Sequence, residues 1–250
     1  MKISASIVTY NSIDDIDRCL SSLSKTEGTD FVLYVVDNAS GDGTADHVEK
    51  NYPWVRLIRS EKNVGFGAAH NRAIALTDSD CHIIINPDIT LDASQIPLMA
   101  ECLEKNPDIV LISPKVLNPD GTVQYLPKRY PTVRYLMSGF LEKRSGRFRK
   151  IREEYTMKDI LGDEPAEVDF CTGCFMFVRT SALKACGGFD ERYFLHFEDA
   201  DLTRMLKRYG RTMYMPQFTV THAWHRENSR FGKVLFISLA SMFKYFLKWK

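Results

Sequence analysis

The chain has 250 residues and a mass of 28.7 kDa, enough to bury a core in one large domain or two small ones. Lys and Arg number 33 against 32 Asp and Glu, and a formal charge of +1 excludes the polyelectrolyte character of a nucleic-acid-binding domain. The longest uncharged run of the C-terminal tail, Val234 to Phe243, is far short of the about 20 residues that a spanning helix needs.

Six cysteines lie mostly in apolar segments, and Met1-Lys2 leads straight into a strand rather than a secretory leader. A reducing, cytoplasmic location is therefore expected. Cys171 and Cys174 have CxxC spacing, but no second pair completes a zinc site, so a plain strand is the better reading there.

Ile3 to Tyr10 is apolar and β-leaning. Asn11-Ser12 offers a cap for a helix with Ile13, Ile16, Leu20 and Leu23 on its apolar face. Phe31 to Val36 is a second strand, stopped by Asp37-Asn38-Ala39-Ser40, and Thr44 can start the next helix. Val55 to Ser60 is a third strand, and Asn63-Val64-Gly65-Phe66-Gly67 leads into a helix through Asn71 and Leu76. The fourth strand, Ile83 to Ile85, is wholly apolar and ends in Asn86-Pro87-Asp88. Strands separated by helices of this length imply right-handed crossovers and a mainly parallel sheet.

Four strand ends thus carry polar or backbone-permissive residues, and in a parallel sheet they share one edge, where ligands bind. Asn86-Pro87-Asp88 alone would read equally well as a turn; its three counterparts make the case. The glycine loop is not a GxGxxG after the first strand, and no GxxxxGK[ST] occurs, so dinucleotide oxidoreductase and P-loop readings are weak.

Further on, Ile96 to Leu103 reads as a helix and Ile109 to Ser113 as a strand, followed by a hairpin turn into Val123 to Leu126. Residues 143–152 hold six basic side chains, either a solvated insertion or a lid for an anionic acceptor. Asp169 to Arg179 reads as a buried strand broken at its start by Thr172-Gly173, where the backbone can approach a donor or acceptor sugar. Glu198, Asp199 and Asp201 open a helix marked by Leu202, Met205 and Leu206; dipole stabilisation explains one or two of these carboxylates but not three. The tail, 230–250, is an amphipathic helix that either packs on the core or lies on an anionic leaflet.

Taken together, Ser6 to Asn11, Val35 to Ser40, Asn63 to Asn71, Asn86-Pro87-Asp88, Gly187 to Glu191, Phe197 to Leu202 and His222 resemble the family 2 inverting glycosyltransferases of GT-A fold, and more narrowly their bacterial rhamnosyltransferase-like branch. The resemblance implies an α/β, GT-A-type nucleotide-binding sandwich with a mainly parallel central sheet flanked by helices. It implies one domain over 1–250, with a nucleotide-sugar half (1–113), an acceptor and catalytic half (114–229) and the C-terminal helix.

By the same resemblance, Thr9, Tyr10, Asn11, Asp37 and Asn38 hold the nucleoside, while Asn63, Gly65, Phe66, Gly67, Asn71, Asn86 and Pro87 shape the nucleotide-sugar pocket. Asp88, with His222, would hold a divalent cation, Mg²⁺ or Mn²⁺, that neutralises the departing diphosphate. Asn86 stands where the family usually has the first Asp of Asp-x-Asp, which removes one negative charge. His225 and Arg226 could steady phosphate. Asp199 is the expected base, with Glu198 and Asp201 positioning the acceptor, and Thr172 and Gly173 near a sugar. The implied reaction is inverting transfer, with dTDP-L-rhamnose as donor, to a lipid-linked saccharide acceptor in cell-surface polysaccharide synthesis at the cytoplasmic face of the membrane. A nucleotidyltransferase is the enzymatic alternative, but Thr9 to Asp14 lacks the Gly and Lys it needs. A non-catalytic sugar-nucleotide or glycan-binding protein is the other.

Overall fold

The computed structural model describes residues 1–24, 26, 30–224 and 232–250. Four parallel strands open the chain, with their crossover helices: β1 (Ile3–Thr9), α1 (Ile13–Leu23), β2 (Phe31–Asp37), α2 (Thr44–Asn51), β3 (Arg56–Arg59), α3 (Phe66–Leu76) and β4 (Cys81–Ile85). They line up as β3-β2-β1-β4, with Ile3 opposite both Phe31 and Cys81. Every residue of β1 and β4 is buried, as a strand covered on both faces requires. The cap of α1 differs from expectation: Ser12 makes no capping bond, and Asp42 from the next strand end accepts the Ile13 N–H at 3.1 Å.

Beyond β4 the sheet becomes mixed. β5 (Ile89–Leu91) leaves the Asn86-Pro87-Asp88 turn, α4 (Gln95–Lys105) follows, and β6 (Ile109–Leu117) forms a hairpin with β7 (Val123–Gln124). A helical hairpin, α5 (Val133–Leu141) and α6 (Gly146–Tyr155), occupies the basic segment. Then come β8 (Ala166–Glu167), β9 (Phe175–Arg179), α7 (Thr180–Ala185), α8 (Glu198–Leu206), β10 (Arg211–His222) and α9 (Lys233–Lys248). β9 inserts antiparallel between β4 and β6, so the parallel character expected of the sheet holds for its first four strands and the β6–β10 pair.

β9 starts only at Phe175, because Thr172-Gly173 interrupts the apolar run. β10 carries a register shift between Met215 and Thr219, beside Pro216, which has no N–H for the ladder. Its last residues pair antiparallel with β5, setting His222 opposite Ile89. That pairing brings the far end of the chain to the turn that carries Asp88.

Candidate active site

The rim where β1 and β2 end is laced by short polar links. Thr9 Oγ1 donates to Asp37 at 3.1 Å, Ser40 N–H to the other Asp37 oxygen at 3.0 Å, and Gly41 N–H to the Asn11 side chain at 2.8 Å. Asp37 is buried, and each of its oxygens keeps a lone pair for a ligand N–H. Tyr10 leaves its ring exposed beside it. Asn11 and Ala39 both take left-handed φ, 56° and 65°, a cost concentrated at this rim.

Several expected pocket residues are engaged with protein. Asn38 gives its amide to Asn63 Oδ1 and the Gly65 carbonyl and accepts the Val64 N–H, so it holds the loop in shape. A Cβ on Gly65, at φ +91°, would fall 2.4 Å from the Phe194 carbonyl oxygen, and one on Gly67 would fall 2.8 Å from Phe189. Phe66 lies edge-on to Phe189. Asn71 clamps the 188–191 turn through Phe189 and Glu191. The glycines and Asn71 therefore bring α3 against the chain that leads to α8.

Cys81 to Ile85 delivers Asn86-Pro87-Asp88 to the same edge, and the Asn86 N–H donates to the Cys174 carbonyl at 2.9 Å. Asp88 Oδ2 lies 3.2 Å from His222 Nε2, and the Ala223 N–H donates to the Asp88 carbonyl. Gln124 uses its amide nitrogen for Asn118 and the His222 carbonyl, which leaves its oxygen 3.0 Å from His222 Nδ1. Nδ1 is then the protonated nitrogen, and Nε2 turns a lone pair toward a carboxylate unless a proton or a metal ion lies between. Asp88 Oδ1 is buried without a hydrogen-bond partner. Neighbouring ligands of an octahedral cation at 2.0–2.1 Å are about 3 Å apart. The Asp88–His222 spacing and the orphaned oxygen both fit a divalent cation. Among the described residues no group of three or more His, Cys, Asp or Glu gathers, so these residues offer two donors here.

α8 begins under strain, with His196 and Phe197 both left-handed, at φ 68° and 70°. Asp199 is half-buried and accepts two backbone N–H groups, from Gly173 at 3.0 Å and Ala200 at 2.9 Å. Glu198 is only 4% exposed and its Oε2 has no partner. Burial first, and the neighbouring Asp199 charge second, push its carboxyl up to about 8. The two carboxyls thus differ in kind: Asp199 is held by backbone dipoles, and Glu198 is stored neutral.

Three expected residues behave otherwise. Asp201 is fully buried and cannot reach a sugar: Lys248 Nζ at 2.7 Å, Trp249 Nε1 at 2.6 Å and the Tyr193 hydroxyl at 3.4 Å all point at it. Thr172 turns its hydroxyl to Cys174 Sγ, and a Cβ on Gly173 would fall 3.0 Å from the Phe66 ring. His225 and Arg226 lie outside the described residues.

Other residues of the site carried no expectation. Gln124 orients His222 from a hairpin strand of two residues, and Trp224 stacks parallel on His222 with centroids 6.1 Å apart. Lys128 lies over Phe170 and Tyr155, its ammonium pulled down by burial while the Asp199 charge opposes. No motif marks any of the three.

The profile "Glycosyl transferase family 2" matches residues 4–187. The chain belongs to that family. It is therefore a glycosyltransferase, which sets aside the nucleotidyltransferase and the non-catalytic alternatives. It is 31% identical over 236 residues to an N-acetylglucosaminyl-diphospho-decaprenol L-rhamnosyltransferase of Mycobacterium tuberculosis, covering 89% of this chain and 75% of the relative. It is 30% identical over 193 residues to the rhamnosyltransferase WbbL of Escherichia coli, covering 72% of this chain and 69% of the relative. Among solved structures, the mannosyltransferase PcManGT of Pyrobaculum calidifontis, in complex with GDP-Man and Mn²⁺, aligns with a TM-score of 0.63 at 16% identity, covering 91% of this chain and 58% of that one. The GT-A fold expected from the sequence is the fold found.

Proposed function

We propose that this glycosyltransferase moves L-rhamnose, with inversion, from dTDP-rhamnose to a lipid-linked saccharide acceptor in cell-surface polysaccharide synthesis. The observation that carries the reading is the linkage of two acidic groups across residues 173 and 174: Gly173 binds Asp199, and Cys174 binds the turn that presents Asp88. Inversion needs a base on the face of the sugar opposite the diphosphate, and two carboxylates at one sheet edge suit that geometry. The rhamnosyl choice rests on the two rhamnosyltransferase relatives, and the lipid carrier on the decaprenol-linked substrate named for the mycobacterial one.

Residues 1–113 bind the nucleotide sugar in this reading and 114–229 supply the acceptor side. Asp37 takes an N–H of the base, and the Tyr10 ring offers a stacking face. Asp88 and His222 would hold a divalent cation, Mg²⁺ or Mn²⁺, with Gln124 fixing the imidazole tautomer. Such a cation acts as a Lewis acid on the diphosphate. Asp199 Oδ accepts the acceptor hydroxyl proton, and the two backbone N–H groups keep it aimed before attack. Glu198, neutral at pH 7, withholds a second negative charge from the base.

The deciding experiment incubates the purified protein with dTDP-rhamnose and, in parallel, UDP- and GDP-sugars, using a polyprenyl-diphosphate-linked N-acetylglucosamine acceptor. Rhamnosylated product with inverted anomeric configuration by NMR is expected. Turnover of another donor, or retention of configuration, would overturn the assignment.

A further inference from the structure

α9 is built inside out. Its polar side chains face the protein: Ser238 meets His196 at 2.6 Å, Ser241 donates to the Leu195 carbonyl at 2.9 Å, Lys244 donates to the Arg192 carbonyl, and Lys248 binds Asp190 and Asp201. Leu235, Phe236, Leu239, Phe243 and Leu247 face outward, with Phe236 74% and Phe243 65% exposed. Their spacing keeps them on one side of the helix over three turns. Leu235 and Leu239 lie on the solvent side, while Tyr245, Phe246 and Trp249 pack inward against Tyr193 and Phe197. A soluble surface seldom leaves a contiguous apolar stripe uncovered.

Cationic side chains lie near the C-terminal end of α9. The Arg204 guanidinium sits between Trp249 at the end of α9, 4.4 Å from its ring centroid, and Tyr130 just before α5, at 4.7 Å. The α5–α6 hairpin that follows exposes Lys143, Arg144, Arg147, Arg149 and Lys150, none ion-paired with a described residue. The same hairpin leaves Val133 and Met137, one turn apart, open to solvent. No helix among the described residues is long and apolar enough to cross a bilayer.

From this arrangement we infer that α9 lies on an anionic bilayer surface, its Phe236–Phe243 stripe among the acyl chains and the α5–α6 cations on lipid phosphates. Apolar burial and electrostatic attraction together give the binding strength of such interfacial helices. A second copy of the chain is the poorer occupant, because stacking two stripes brings two cationic hairpins together, whereas anionic headgroups neutralise them. The inference goes beyond the glycosyl-transfer reading and stands without it, since adhesion to lipid needs neither donor nor acceptor.

The test is co-sedimentation of the full chain with vesicles of phosphatidylcholine alone or mixed with phosphatidylglycerol, at low and high salt. Wild type sediments with the anionic vesicles and releases as salt rises. The double variant Phe236→Ser/Phe243→Ser, outside the catalytic machinery and on an exposed face, binds at least about tenfold more weakly, from the loss of two buried aromatic side chains. Arg147→Gln/Arg149→Gln/Lys150→Gln also weakens binding and flattens the salt response. Wild type that stays in the supernatant, or a double variant that binds as well as wild type, overturns the proposal. So does a concentration-dependent dimer in sedimentation equilibrium that the double variant abolishes. Rhamnosyl transfer measured on the same samples separates the two readings: active protein that ignores vesicles sinks only the docking, and docked protein without transfer sinks only the proposed reaction.

Discussion

The backbone N–H of Gly173 donates to the Asp199 carboxylate at 3.0 Å, and the carbonyl of the next residue, Cys174, takes the Asn86 N–H at 2.9 Å. Two consecutive residues thereby tie the start of α8 to the end of β4, elements more than a hundred positions apart in the chain. A Cβ at residue 173 would fall 3.0 Å from the Phe66 ring, so a side chain there would require that ring to shift. Asp199 is consequently fixed by main chain rather than by flexible neighbours.

Replacement of Asp199 by Asn tests its role as base. Transfer falls about 10²–10⁴-fold, the usual contribution of a positioned general base. Asn keeps one acceptor oxygen but turns an NH₂ toward either Gly173 or Ala200, and the orphaned N–H costs about 1–3 kcal/mol. The variant should melt several degrees lower yet still be stabilised by donor in a thermal-shift assay. Near-normal turnover with intact donor binding moves the base elsewhere.

Glu198 makes stability depend on pH in a stated direction. Its folded carboxyl titrates about 8 and its unfolded one about 4.5, so unfolding releases a proton between those values. The sign follows: stability is highest below pH 4.5 as far as this group is concerned and falls as pH rises toward 8. Glu198→Gln removes the ionisable group at constant shape. Denaturant titrations should show little difference from wild type near pH 5 and a gain on the order of 2 kcal/mol for the variant at pH 8.5, a discounted share of the shift. A gain independent of pH would mean that burial does not hold this carboxyl neutral.

The first half of the fold was legible because each strand is a continuous apolar run with polar residues at its end, and the parallel order then gathers Asp37, Asn63 and Asp88 on one edge. β10 was not, since Pro216 and Gln217 interrupt its pattern and its partners, β5, β6 and β8, lie far away in sequence. Asp199 and Asp201 are indistinguishable by composition. Helical spacing separates them only once the inward face is known, and Asp201 shares it with Glu198 and Leu202. The amphipathic pattern of the tail was visible, but which side faces the protein is decided by the polar partners offered by Asp190, Leu195 and Asp201.

Gln124 is expected to act on metal affinity without touching the metal. Its oxygen fixes the His222 tautomer, and such supporting contacts are worth 10–100-fold in affinity (about 1.4–2.7 kcal/mol). Gln124→Leu should weaken Mn²⁺ binding by that factor in titration calorimetry with nucleoside diphosphate present, with a smaller loss of kcat at saturating Mn²⁺. His222→Ala should lose more in both. Equal Mn²⁺ affinity in Gln124→Leu and wild type would leave the hairpin with no part in the site.

Lys248 and Asp201 anchor α9 onto α8, the helix whose first turn carries Asp199. Their ion pair is 2.7 Å long, and its carboxylate is fully buried. Removing one partner of a buried pair leaves an uncompensated charge and costs about 3–5 kcal/mol, while removing both costs less than the sum. Lys248→Met strands the Asp201 carboxylate, though Trp249 and Tyr193 still point at it; Asp201→Ala leaves Lys248 with Asp190. Both singles should lower the melting temperature by about 6 °C or more, at the 2–4 °C per kcal/mol of a chain this size. The double variant should recover part of that loss. A strictly additive cycle would show that α9 is held by its aromatic face alone, through Tyr245, Phe246 and Trp249, with no energetic coupling between the two charges.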